Sequence, residues 1–189
     1  MADTARETVE PEPFVVNIDC EKKRNSAAWT RCMCQQHCAA VQIMEGKRQE
    51  NKLVPTPGSR TTSDYTKYKR RYIKSFMNKV KGVPPPPQDV KDEFIHPCAA
   101  CEYEKIKPAN PTTGGAEAPF NAGHTHEAAW GGNLADMAGF KMMNKRVNQS
   151  ISFQTYDPKE VNKDQPIQAM TTCNCPDGPA PADPSGCSA

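Results

Sequence analysis

Apolar and polar positions repeat at helical spacing most clearly between residues 64 and 81. This repeat predicts an amphipathic helix, which Ser63 or Asp64 would cap and Gly82 would end. Its basic residues fit a solvated helix face, the interpretation that we favour, or a surface that contacts phosphates. The apolar positions are Tyr65, Tyr68, Tyr72, Ile73, Phe76, Met77 and Val80.

Two shorter patterns predict further elements before this helix. The apolar run at residues 14–18 predicts one short strand. Residues 26–46 predict a helix, for which Ser26 is a suitable N-cap and Gly46 a suitable residue just beyond the last turn.

Composition limits the size of the core. Only 37% of the 189 residues are hydrophobic, the mean hydropathy is −0.76, and there are 18 prolines and 11 glycines. A chain of this kind favours a small, loop-rich α+β domain that metal ions or disulfides staple together. The polyproline run at residues 84–87 predicts a boundary between two units. Residues 1–83 form an N-terminal arm and a helical, Cys-containing segment, and residues 88–176 form the second unit. Residues 177–189 are expected to form a mobile tail.

Seven of the nine cysteines lie in close groups with the spacing of structural Zn²⁺ ligands, because thiolates with one to three residues between them can share a tetrahedral ion. The alternative is a disulfide framework, in which Cys32 and Cys34 would bond to different partners. The expected zinc ligands are Cys98, Cys101, Cys173 and Cys175 at one site, and Cys32, Cys34 and Cys38 with Cys20 or His37 at a second.

Net charge and hydropathy exclude few classes of protein. The formal net charge is +2, so a case for nucleic acid binding must rest on local clusters. No apolar run approaches the roughly 20 residues of a membrane-spanning helix. Residues 1–7 contain no apolar signal region, and we therefore expect a chain that is cytoplasmic before any secretion.

The strongest candidate chemistry lies at His124 and His126, because imidazole is the side chain best suited to move protons near neutral pH. The Gly131-Gly132 pair predicts a turn that reverses the chain. Residues 135–149 are then expected to form a helix that returns asparagine side chains, which suit a hard divalent cation, toward His124.

Residues 122–124, the Gly131-Gly132-Asn133-Leu134 turn, Asn144 and Asn148 together resemble the His-Me finger (ββα-metal) nucleases. The closest types are the HNH endonucleases and the non-specific endonucleases of bacterial polymorphic toxins. The resemblance implies a ββα-metal core within residues 88–176 and a divalent ion such as Mg²⁺ at the scissile phosphate.

Carried over to this chain, the resemblance makes His124 the general base. Gly123, just before it, departs from the HNH pattern, which often has Asp or His there, although the non-specific subgroup carries Gly. The remaining implied roles are metal binding by Asn148, with Asn144 as the alternative ligand, bracing of the hairpin by Asn133, and charge neutralisation at the phosphate by Lys145 or Arg146. We add His126 to the metal-site residues in an auxiliary role.

The implied function is metal-dependent hydrolysis of DNA or RNA by an antibacterial effector toxin, delivered into a target cell and paired with a cognate immunity protein. A non-enzymatic, zinc-stabilised binding or secretion-adaptor module is the alternative, since it needs the cysteines but not His124. A third possibility is a zinc hydrolase that uses His124, His126 and Glu127.

Overall fold

The computed structural model describes residues 14–16, 29–54, 56, 62–81, 88–106, 119–155 and 167–170. Helices and short strands are mixed within these residues, which agrees with the α+β class. The elements are β1 (Phe14–Val16), α1 (Arg31–Gln49), α2 (Thr62–Val80), α3 (Gln88–Lys91), α4 (Pro97–Ile106), β2 (Phe120–His124), β3 (Phe140–Asn144), α5 (Lys145–Thr155) and β4 (Ile167–Met170).

Helix α1 differs at both ends from the predicted helix over residues 26–46. It begins after Thr30, whose hydroxyl oxygen accepts a hydrogen bond from the backbone N–H of Met33 at 3.2 Å and so caps the first turn. The predicted cap, Ser26, lies outside the described residues. The helix also continues through Gly46 to Gln49, because Lys47 and Arg48 in the last turn favour its negative C-terminal end.

Helix α2 confirms the predicted amphipathic helix, but it begins two residues before the predicted start, so Ser63 and Asp64 lie in its first turn instead of capping it. Its buried face carries Tyr72, Phe76 and Val80, whereas its exposed positions carry lysines and arginines. The Tyr72 hydroxyl donates a hydrogen bond to Glu93 Oε2 at 2.8 Å, and burial raises the pKa of this phenol, which therefore stays protonated. The aromatic positions thus serve the core, as we favoured from the sequence.

Strands β2 and β3 form an antiparallel hairpin that runs in register from the Phe120–Asn144 pair to the His124–Phe140 pair. The predicted helix over residues 135–149 is therefore wrong for residues 135–144. Residues 140–144 are a strand, and the helix starts only at Lys145. Residues 140–144 form a strand because they pair with β2. The hydrogen bonds and side-chain burial of that pairing outweigh a weak local preference for helix.

The other two strands form a separate sheet. Strand β1, which lies inside the predicted strand at residues 14–18, pairs in parallel with β4.

The hairpin lies between two hydrophobic clusters, one on each face. Both clusters draw residues from before and after the polyproline run at 84–87, which itself lies outside the described residues. The first cluster contains Met33, Ala40, Val41, Met44, Leu53, Ile95, Trp130, Met143, Val147 and Ile151. The second contains Tyr72, Phe76, Val80, Val90, Phe94, Ala99, Ala100, Tyr103, Phe120, Ala122, Phe140 and Met142.

A disulfide between Cys32 and Cys98 joins α1 to α4, with the two Cα atoms 5.8 Å apart. Cys38 and Cys101 are disulfide-bonded as well, while Cys34 keeps its thiol. This corrects the zinc expectation for these four bonded cysteines, since a sulfur in a disulfide has no thiolate to offer a metal.

The disulfide framework, which the sequence left as the alternative, thus applies to Cys32, Cys38, Cys98 and Cys101. The other expected ligands, Cys20, Cys173 and Cys175, lie outside the described residues.

In the described part of the chain, no helix has the length and hydropathy required to cross a membrane.

Candidate functional site

His124 is the last residue of β2, and its side chain lies on the face of the hairpin that α2 covers. Its ring packs on the ring of its cross-strand partner Phe140, with centroids 3.7 Å apart, and Tyr65 of α2 approaches to 5.9 Å. These aromatic neighbours leave only 5% of the residue exposed. The imidazole is therefore held in a fixed orientation, as a proton-transfer group needs to be.

The loop from residue 125 to 139 connects the two strands and is closed at its base. The backbone N–H and the hydroxyl of Thr125 both donate to the carbonyl oxygen of Gly139, at 2.8 and 3.1 Å. At the far end, Gly131 has φ = 90°, and a Cβ atom at Gly132 would overlap the carbonyl oxygen of His126. The predicted glycine turn is thus present, but it folds the loop rather than joining the strands directly.

His126 lies in this loop, and Trp130 fixes its ring. Its Nε2 atom is 2.8 Å from the carbonyl oxygen of Trp130. Because a carbonyl oxygen only accepts hydrogen bonds, Nε2 must carry a proton, and Nδ1 is the nitrogen left to exchange one.

A cavity of about 440 Å³ opens beside the two histidines. Lys47 and Lys52, from the end of α1 and the segment after it, form part of its wall. Both lysines pair with the exposed carboxylate of Glu50, at 3.4 and 2.7 Å. Such exposed pairs are weak, so an anionic ligand can replace Glu50 at little cost. The full lining is Lys47, Lys52, His124, Thr125, His126, Gly131, Asn133, Asp136, Ala138 and Gly139.

Two polar side chains of the lining stabilise the loop itself. Asn133 Oδ1 accepts a hydrogen bond from the N–H of Ala135 at 2.9 Å. Asp136 Oδ1 accepts one from the N–H of Ala138 at 3.0 Å and caps a short 3₁₀ turn. Asn133 therefore braces a local turn of the loop.

Asn148, the main expected metal ligand, lies on the other face of β2. A Cβ atom at Gly123 would overlap its Oδ1 atom and lie 3.0 Å from its Cγ atom, so the amide rests directly on the Gly123 backbone. Successive residues of a strand point to opposite faces. Asn148 is thus beside Gly123, whereas the imidazole of His124 points away from it.

The expected site residues at the start of α5, Asn144, Lys145 and Arg146, make hydrogen bonds that stabilise the fold. Asn144 Oδ1 accepts a hydrogen bond from the backbone N–H of Arg146 at 2.9 Å and caps the helix. The backbone N–H of Asn144 donates to Gln36 Oε1 at 2.6 Å, and that of Lys145 donates to Pro119. None of Asn144, Lys145 and Arg146 is among the described residues that line the cavity.

The remaining metal hypotheses rest on clusters that the structure does not assemble. Among the described residues, no three His, Cys, Asp or Glu side chains come together as a metal site would require. This includes His124, His126 and Glu127, the set expected for a zinc hydrolase. Glu127 is buried, and its carbonyl oxygen accepts hydrogen bonds from Trp130 and Gly132.

Sequence reasoning missed Lys47 and Lys52, the cations of the cavity. Both stand in a polar stretch after Gly46 that suggests a loop, about 75 residues before His124 along the chain. The packing of α1 against the hairpin and α5, together with a hydrogen bond from the backbone N–H of Val54 to the carbonyl oxygen of Trp130 at 3.0 Å, brings them to the site. No local pattern in the sequence indicates that these two lysines lie close to the histidines.

Comparisons with protein-family models, with curated proteins and with solved structures gave no match for this chain.

Proposed function

We propose that the protein is a nuclease that cleaves phosphodiester bonds at the cavity beside His124. The observation that carries the proposal is the pairing of two fixed imidazoles, His124 and His126, with two cations, Lys47 and Lys52, around one cavity. Lysine ammonium groups suit a phosphate, and imidazoles suit the proton transfers that breaking a P–O bond requires.

The order of the elements supports the proposal. A strand ending in a histidine, a loop, a second antiparallel strand and an immediately following helix occur in this order at residues 120–155. This is the order that the resemblance to the ββα-metal nucleases implies. We therefore retain the ββα core as a proposal for this part of the chain.

The metal part of the resemblance fits these residues poorly. Asn148 rests on Gly123, Asn144 caps α5, and His126 Nε2 faces a carbonyl oxygen. A hard cation such as Mg²⁺ needs several oxygen ligands directed at one point, and these side chains do not provide them. The mechanism proposed here therefore uses no step through a metal.

The chemistry that this chain's own residues can perform is positioning and proton transfer. Lys47 and Lys52 would hold the phosphate and offset the negative charge that develops on it. His124 would remove the proton of the attacking hydroxyl. The aromatic packing of His124 would keep its ring in one orientation.

We further propose that the protein acts as an antibacterial effector with a cognate immunity protein. The disulfides support a path through an oxidising compartment, where such bonds form and persist. A toxic activity in the producing cell would require an inhibitor there, and a small acidic protein covering Lys47 and Lys52 would suit that role.

The test uses the purified, disulfide-bonded chain with labelled DNA and RNA, with and without Mg²⁺. The proposal predicts cleavage of at least one nucleic acid, and loss of that cleavage in His124→Gln. If no nucleic acid is cleaved under any condition, the proposal is wrong.

A non-enzymatic binding module is the second candidate, and one observation favours it. Helix α2 exposes a row of cations at helical spacing, which suits binding to a nucleic acid backbone without cleavage. Salt-dependent binding with intact substrate would support this candidate. The row consists of Lys67, Arg70, Arg71 and Lys74.

A further inference from the structure

We infer that the cavity beside His124 cleaves RNA without a metal, by attack of the substrate's own 2′-hydroxyl. This inference rests on the proposed function and narrows it to one substrate class and one reaction. It starts from the disagreement described above, in which the implied ligands do not converge while two imidazoles and two ammonium groups line the same cavity.

Without a metal to activate water, the nucleophile must come from elsewhere. In RNA the 2′-oxygen is already adjacent to the phosphorus, so one base and one acid are sufficient for chain cleavage. DNA lacks this hydroxyl and cannot react in the same way. Two histidines around one cavity are the minimal set for this reaction.

In the proposed step, His124 takes the proton of the 2′-hydroxyl while the 2′-oxygen forms a bond to phosphorus. The bond from phosphorus to the 5′-oxygen breaks, and that oxygen takes a proton from Nδ1 of His126, which starts the step as an imidazolium with a proton on each nitrogen and ends it neutral. The products are a 2′,3′-cyclic phosphate and a 5′-hydroxyl, so atoms and charges balance without a further reactant.

The geometry of His126 supports the role of acid. Its Nε2–H is held by the carbonyl oxygen of Trp130 at 2.8 Å, which leaves Nδ1 to carry the transferable proton. Lys47 and Lys52 offer the positive charge that the five-coordinate phosphorus needs.

The first experiment compares three oligonucleotides of one sequence, made of RNA, fully 2′-O-methylated RNA and DNA, in excess EDTA and in Mg²⁺. We expect RNA cleavage at the same rate in both buffers, with cyclic phosphate ends and with the other two oligonucleotides intact. Cleavage that needs Mg²⁺, includes DNA or leaves 5′-phosphate ends would overturn this inference but keep the nuclease proposal. No cleavage at all would end both.

A second experiment assigns the two histidines. Uridine 3′-(4-nitrophenyl phosphate) has a leaving group that needs no proton. The His126→Gln variant should cleave RNA about 10²–10⁴-fold more slowly than the wild type. It should cleave this ester at nearly the wild-type rate, because the leaving group needs no acid. His124→Gln should be slow on both substrates by a similar factor. Equal losses on both substrates in His126→Gln would contradict the acid role.

Discussion

The side chain of Asn148 occupies the space next to Gly123 in which any other residue would place its Cβ atom. This contact explains why glycine precedes His124 in the strand, where many HNH-type sequences would have a metal-binding side chain. It also fixes α5 against β2, because Asn148 is only 6% exposed and lies within the packed interior. The residue expected to hold a metal therefore has a packing role here.

Gly123→Ala should destabilise the fold by about 1–3 kcal/mol, because the new methyl group must displace Asn148 and the Cε atom of Met143, 2.9 Å away. Gly46→Ala in α1 is the matched control. Nothing lies within 4 Å of a Cβ there, so it should stabilise the protein by about 0.5–1 kcal/mol. Urea unfolding of each variant measures both effects.

The same contact can be tested by a double-mutant cycle. Removing the amide in Gly123→Ala/Asn148→Ala should relieve the overlap, so the double variant should lose less stability than the sum of the two single variants. A coupling of about 0.5–3 kcal/mol is expected for residues in contact. Strict additivity would show that the two residues do not touch.

Lys47→Ala/Lys52→Ala should lower kcat/KM for nucleic acid cleavage at least about tenfold, since a hydrogen bond to a charged group contributes about 1.5–3 kcal/mol. Lys91→Ala/Lys105→Ala removes the same charge from positions that do not line the cavity and should change the rate little. Rates at several salt concentrations distinguish the two pairs. Equal losses in both would indicate a general charge effect rather than a phosphate site.

Cys32→Ala/Cys98→Ala should lower the free energy of unfolding by about 2–4 kcal/mol, because the bond closes a loop with a sequence separation of 66. Cys34→Ala should have a small effect, since that residue keeps its thiol. Chemical denaturation measures the loss. Mass spectrometry and elemental analysis of the wild type complete the test, and stoichiometric zinc with reduced Cys32 and Cys98 would restore the metal interpretation.

His96 should make folding stability sensitive to pH. Burial lowers the pKa of this histidine, and its Nδ1 atom accepts a hydrogen bond from the backbone N–H of Cys98, which requires the neutral ring. The unfolded chain therefore binds a proton more readily, and stability falls as the pH drops below about 6.5.

His96→Asn keeps a hydrogen-bond acceptor at the start of α4 but does not titrate. Its unfolding free energy should depend less on pH between about 7 and 5 than that of the wild type. Parallel pH dependences for the two proteins would show that His96 does not contribute.

Elements with a strong local pattern could be predicted from the sequence. The aromatic repeat predicted α2 to within two residues at each end, because one face of a helix must meet the core. The hairpin was predicted less well. Residues 140–144 look helical when considered alone and become a strand only because β2 lies beside them. A pairing between distant segments leaves little trace in either segment.

For the site, the sequence identified His124 and His126 but not their surroundings. The order of residues suggested that Asn148 would converge on His124, yet strand alternation puts it on the opposite face, beside Gly123. The lysines of the cavity come from a distant segment. Chemistry-bearing residue types were thus visible in the sequence, whereas their directions depended on the packing.

The central claim is that this protein cleaves nucleic acid through His124. The most direct measurement compares cleavage rates of the wild type, His124→Gln and the control His96→Asn, after a cooperative thermal unfolding transition has shown that each of the three is folded. We expect clear cleavage by the wild type and His96→Asn, and at least about a 100-fold lower rate for His124→Gln. Equal rates for wild type and His124→Gln, or no cleavage by any of the three, would contradict it.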